Sequence, residues 1–164
     1  MLTPMQMENI ILRPHWMQYG LCEMPMIIIS IAALFASIFF SDTIYNRYIA
    51  LAAFFVWAVL AYRILFIRRI RYVITDQQIL YQHGIVNYTT DYLELYRVFD
   101  YQQVRSPMQQ LVGLKTIYVM AVDRNTPVLT ILGIRNNIDV ISIIRNRVEY
   151  NKALKHVYEI GNRY

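Results

Sequence analysis

A single cysteine, Cys22, stands among the 164 residues, so no disulfide can close within the chain and no cysteine cluster can hold a metal. Histidine is nearly as scarce. His15, His83 and His156 lie at no ligand spacing from one another or from a carboxylate, and no metal centre is expected. The five glycines are too few for a phosphate-cradling loop, and neither a Walker loop nor a dinucleotide fingerprint is present. No serine occupies a G-x-S-x-G elbow, and Cys22 has no base near it in sequence. The chain therefore nominates no catalytic, cofactor-binding or metal-binding residue and reads as a non-enzyme. His83, in a turn, is expected to be solvated.

Charge is the next thing missing, over two long stretches. Residues 24–41, MPMIIISIAALFASIFFS, carry no ionisable side chain, and residues 48–67, YIALAAFFVWAVLAYRILFI, carry only Arg63. At about 1.5 Å per residue, each run approaches the thickness of a bilayer's hydrocarbon core. Arg63 lies one turn from the end of its run, where a long side chain can carry its charge to the headgroups while its stem stays in lipid. The reading is a membrane hairpin, residues 24–67, preceded by an N-terminal segment, residues 1–23, and followed by one small domain, residues 68–164. A soluble protein could hardly bury both helices under a domain of that size.

The arginines orient the hairpin. The connection SDTIYNR holds one, Arg47, whereas Arg63, Arg68, Arg69 and Arg71 flank the end of the second run. Positive residues stay cytoplasmic, so both termini are expected there and the connection outside. Residues 1–67 carry three arginines against Glu8, Glu23 and Asp42; the whole net charge of +5 belongs to the tail. Glu8 and Glu23 spoil a basic leader, and the late start of the apolar run argues against a signal peptide. Cys22 precedes that run, where a lipoprotein cysteine would follow it, and reads as a thiol buried near the interface.

From Arg69 onward, short alternating segments replace the apolar runs. Strands are expected over residues 71–75, 79–82, from 85 to 88, 92–95, 98–104, 115–122 and 128–134. His83-Gly84 is a tight connection, Ser106-Pro107 caps a short helix, and Gly113 stops it. Asn136 is the expected cap of a closing helix whose Ile138, Ile141, Ile144 and Val148 face the core. Arg135, Arg145, Arg147, Lys152 and Lys155 read as its solvated face. A second set, Leu154, Val157 and Ile160, lies on a shifted face that could dock on a neighbour.

The ordered residues Tyr72-x-Ile74-Thr75, Ile79, Gly84-Ile85, Leu93-x-Leu95-x-Arg97-Val98-x-Asp100, Val104-x-Ser106-Pro107 and Leu111-Val112-Gly113-Leu114 resemble the bacterial pleckstrin-homology-like (PH-like) domains, in particular the membrane-flanked type. The resemblance covers roughly residues 68–146, and the paired apolar runs fit the same layout. It implies an all-β or α+β barrel of two antiparallel sheets packed at a steep angle and capped by a C-terminal helix. It implies binding or assembly in the bacterial cytoplasmic (inner) membrane, carries no catalytic residues, and does not imply phosphoinositide binding, which belongs to eukaryotic relatives. Family members with two or three copies of the domain are longer; this sequence has one.

Three functions compete on these residues. The leading one is a non-enzymatic membrane-anchored adaptor or assembly subunit, with the bilayer as one partner and either a homo-oligomer or a second membrane protein as the other. Its interface would use Leu154, Val157 and Ile160 together with the tyrosine-rich strands, Tyr88, Tyr92 and Tyr96. The second is a two-span effector gated by a nucleotide or other small-molecule ligand, as in antiphage defence. The third is a regulator that recognises lipid headgroups through the membrane-interface arginines Arg63, Arg68, Arg69 and Arg71. Fourteen tyrosines on a basic domain could also stack nucleobases, but tyrosine is a good strand and interface residue, and nucleic acid is not the expected partner.

Overall fold

The structure is a computed structural model that describes residues 8–39, 46–123 and 126–155. Two helices, α1 (Trp16–Phe39) and α2 (Asn46–Arg69), pack side by side as a hairpin. Each has 24 residues, and in its most apolar stretch only 11% of residues are buried. Both helices are long and apolar enough to cross a membrane. The apolar runs at 24–41 and 48–67 thus sit within helices that begin earlier or end later than their apolar content, as far as these residues are described. Pro25 has no N–H to give the Leu21 carbonyl, and Ser30 Oγ donates to the Ile27 carbonyl at 2.8 Å.

The rest of the described chain forms two antiparallel sheets and a closing helix. The first sheet has the order β1 (Ile10–Leu12), β2 (Arg71–Ile74), β3 (Gln78–His83), β4 (Thr89–Glu94); the second has β5 (Val98–Val104), β6 (Leu114–Ala121), β7 (Val128–Arg135). β1 comes from before the hairpin and pairs with β2 after it, Ile10 opposite Ile74 and Leu12 opposite Tyr72. The hairpin is therefore an insertion between two neighbouring strands of one sheet. That pairing was not expected from the sequence, and it puts both hairpin ends at the domain. A 3-10 turn over Leu95–Arg97 joins the sheets, and α3 (Pro107–Leu111) bridges β5 and β6.

The core follows from the alternation. Ile74, Ile79 and Leu93 from the first sheet and Leu95 from the turn between the sheets meet Val98, Ile117, Val119 and Ile131 from the second. Tyr72 is 1% exposed; its ring stacks on Tyr81 at 5.2 Å and its hydroxyl accepts from the Leu132 N–H at 3.3 Å, so it ties the two sheets together. Burial raises its pKa above the ordinary 10.0. Residues 85–88 are loop, not strand: Gly84 takes φ +110°, a Cβ there would run into the Asn87 carbonyl, and β4 starts at Thr89.

The closing helix, α4 (Val140–Leu154), buries Val140, Ile144 and Val148 in the core, with Ile138 and Ile141 packed partly against it. Its cap is Asp139, not Asn136: Asp139 Oδ1 accepts from the Ser142 N–H at 3.3 Å and Oδ2 from the Ser142 hydroxyl at 2.6 Å. Nor is Arg147 solvated. It is 4% exposed, and its guanidinium donates to the Ile74 carbonyl at 2.8 Å and to the Glu8 carbonyl, clamping the residues before β1, the end of β2 and α4 together. Asn151 continues the clamp by donating to the Asp76 carbonyl at 2.6 Å.

The Asp139 cap makes α4 sensitive to acid. The Ser142 hydroxyl, and then the Ser142 N–H, hold the carboxyl below its ordinary 3.8. A depressed carboxyl contributes stability that is present above the ordinary value and lost as pH falls through the lower folded value. Acidification from about pH 5 towards about pH 2 should loosen α4. Asp139→Asn, which keeps an acceptor but does not titrate, should flatten that part of the profile when helicity is followed by circular dichroism. An acid limb identical in both proteins would remove the cap from the account.

Candidate functional site at the hairpin base

The base of the hairpin, where α1 begins and α2 ends, is built from both helices and three strands. Glu23 on α1 is 3% exposed and pairs with Arg63 on α2 at 2.8 Å. Arg63, whose side chain stays half exposed, has in Glu23 a partner inside the hairpin that the sequence did not show. Tyr19 donates its hydroxyl to the Leu60 carbonyl at 2.9 Å, a second cross-link at the same level.

A polar junction joins α1 to the domain. Gln109 lies in α3, where Ser106 caps the helix: Ser106 Oγ accepts from the Gln109 N–H at 3.2 Å and Gln109 Oε1 accepts from the Ser106 N–H at 3.1 Å. The amide nitrogen of Gln109 is left free to donate to Gln18 Oε1 on α1 at 2.9 Å and to Thr116 Oγ1 on β6 at 2.8 Å. Gln18 in turn donates to Cys22 Sγ at 3.2 Å. Cys22 is exposed on α1 and is not the buried thiol that its position suggested. On the other side, the His15 N–H donates to the Gly133 carbonyl at 2.9 Å, and Gly133 at φ +63° leaves room for the Gln18 side chain.

α2 reaches the first sheet through rings. Phe66 meets His83 edge-on at 6.4 Å, and His83 stacks on Tyr81 at 4.5 Å. His83 is thus not a solvated turn residue; it ends β3, packs among rings and has Asp91 3.8 Å from Nδ1. Between the helix ends lies a cleft of ≈ 530 Å³, lined by Arg13, Trp16 and Tyr19 on one side and Ile64, Ile67 and Arg68 on the other. Arg69 shares the last turn of α2, and Arg71 opens β2. Of the arginines named from the sequence, Arg63 pairs with Glu23, Arg68 lines the cleft, and Arg69 and Arg71 are not among its lining residues. Arg13, which sequence reasoning missed, is the one that shares a cleft with Arg68.

The proposed interface residues are divided as well. Tyr88 and Tyr92 are 56% and 58% exposed; Tyr92 lies opposite Leu80 on β3, and the Tyr88 hydroxyl donates to Gln82. Tyr96 lies in the 3-10 turn after β4, where the Lys155 ammonium lies 3.9 Å from its ring centroid, just beyond Leu154 at the end of α4. Leu154 is exposed. Val157 and Ile160 lie outside the described residues. Among the described residues, no group of three His, Cys, Asp or Glu side chains could hold a metal ion.

Two antiparallel sheets closed by one C-terminal helix are the architecture of a PH-like domain. The family model described as Bacterial PH domain matches residues 21–148, most of the chain, and the protein belongs to that family. No curated protein and no solved structure gives a significant match.

Proposed function

We propose that the chain is a non-enzymatic, membrane-anchored adaptor or assembly subunit that holds its PH-like domain against the cytoplasmic face of the bacterial inner membrane. The observation that carries this reading is the exposure of the two apolar helices, with Ile28, Ile29, Phe35, Ile38, Phe54 and Phe55 each more than 60% exposed. An apolar surface of that extent is far larger than a soluble monomer ordinarily shows and needs lipid or protein to cover it. The arginines Arg13, Arg68, Arg69 and Arg71 stand at the domain end, with Arg47 at the opposite end, which supports a cytoplasmic domain.

Assembly is the reading of the domain itself. The membrane confines copies to two dimensions in one orientation and raises their effective concentration. A closed homo-oligomer about the membrane normal follows if Leu154, Val157 and Ile160 form a self-complementary or head-to-tail contact. Native mass spectrometry of the detergent-purified chain tests this. A defined multimer is expected, and Val157→Glu should reduce it to monomer while the circular dichroism spectrum stays unchanged. A wild-type monomer at high concentration across several mild detergents would move the role to recruiting a different membrane protein.

The gated-effector reading draws on one specific observation. The Gln18–Gln109–Thr116 hydrogen bonds and the Phe66–His83 ring contact link each helix separately to the domain. A ligand that shifts the sheets would act on both helices at once.

A further inference from the structure

The cleft at the hairpin base has a composition that the adaptor role does not use. We infer that it is a binding site for the phosphate group of an anionic phospholipid, held between Arg13 and Arg68. The inference rests on the membrane-anchored reading above.

Depth is the first argument. A helix of 24 residues is about 36 Å long, some 6 Å more than the hydrocarbon core it would cross. The first turn of α1 and the last turn of α2 therefore lie at headgroup level, and they bound the cleft. Trp16, 71% exposed, and Tyr19 are the side chains that favour this layer.

Chemistry is the second. Arg13 and Arg68 stand on opposite walls, both exposed, and neither has an ion pair or hydrogen bond to another side chain among the described residues. This separates them from Arg63, neutralised by Glu23, and from Arg97, which faces Asp123 at 3.3 Å. A guanidinium offers a planar fork of donors that matches a phosphate in two-point contact. No acidic residue occupies the first turn of α1, so the positive end of that helix adds to the same field. Ile64 and Ile67 supply an apolar wall to the cleft beside the arginines. A free phosphate would use the arginines and leave that wall idle; a phospholipid uses both, with its acyl chains along the helices. The volume of ≈ 530 Å³ accommodates a headgroup and the start of its chains.

The test uses the full chain in nanodiscs of phosphatidylcholine alone or mixed with phosphatidylglycerol, with retained lipids counted by native mass spectrometry after release. Wild type should retain one phosphatidylglycerol in preference to phosphatidylcholine. Each of Arg13→Gln and Arg68→Gln should weaken retention about tenfold, as loss of a charge-assisted hydrogen-bond partner does. Arg69→Gln with Arg71→Gln removes as much charge as Arg13→Gln with Arg68→Gln together, but outside the cleft, and should change retention less than about twofold. Arg68→Lys, which keeps the charge and loses the fork, should fall between wild type and Arg68→Gln. Equal losses for the two pairs would mean diffuse attraction, and equal retention of the two lipids would mean no selection for an anionic headgroup; either result would overturn the site. Displacement of the lipid by inorganic phosphate at constant ionic strength, with phosphate bound in lipid-free detergent, would overturn the lipid as the source. A chain that fails to enter nanodiscs and stays soluble after alkaline washing of membranes overturns the membrane reading itself, a result separate from the other two.

Discussion

Ile144→Ala should lower the stability of the domain by about 2–5 kcal/mol, the range for deleting a large aliphatic side chain from a packed interior. Ile144 is 0% exposed and belongs to the core cluster formed by α4 and the two sheets. The neighbouring Ile141 is only partly buried against the same core. Its truncation should cost less, on the order of 1 kcal/mol, because less area leaves water when it packs. Chemical denaturation of the full chain in mild detergent, followed by near-UV circular dichroism, separates the two. A loss below about 1 kcal/mol for both variants would mean that α4 does not close the sheets.

The second large effect is expected at Gly133. Its φ of +63° is a conformation that side chains other than glycine rarely take, and a Cβ built there falls 2.6 Å from both Cβ and Cγ of Gln18. Gly133→Ala therefore combines backbone strain with overpacking between β7 and α1, about 2–5 kcal/mol in all. Gly113 is the control. It has φ +67° but nothing within 4 Å of a built Cβ, so Gly113→Ala should cost only the backbone part, about 1–2 kcal/mol. The difference between the two isolates the contact by which the hairpin sits on the second sheet. Equal costs would show that α1 is free to move away from β7.

What the sequence made legible was local. The alternation of Ile117, Val119 and Ala121, the Ser106 cap and the stop at Gly113 are properties of neighbouring residues, and the structure repeats them. β1 was not legible, because a three-residue strand acquires its identity only from pairing with β2 across the whole hairpin. Arg147 was misread for a different reason. Charge suggested solvent, yet Val140, Ile144, Arg147, Val148 and Asn151 recur at helical spacing on one buried face, and that periodicity was the available signal. The Arg63–Glu23 pair and the cleft shared by Arg13 and Arg68 depend on how two helices sit side by side, which no local pattern encodes. Arg68, Arg69 and Arg71 span the change from helix to strand at Ile70, so Arg71 belongs to β2 and the other two to α2.

The central claim is a membrane hairpin inserted into a PH-like domain that faces the cytoplasm. Its most direct test is topology by cysteine accessibility in intact cells, with Cys22→Ser as the background. Val86, 89% exposed in the loop between β3 and β4, reports on the domain, and Asn46 reports on the far end of the hairpin. The account predicts that Asn46→Cys reacts with a membrane-impermeant maleimide from outside once the outer layer is permeabilised, whereas Val86→Cys reacts only after the cytoplasmic membrane is opened. Labelling of Val86→Cys from outside, or equal labelling of both positions before lysis, would contradict it.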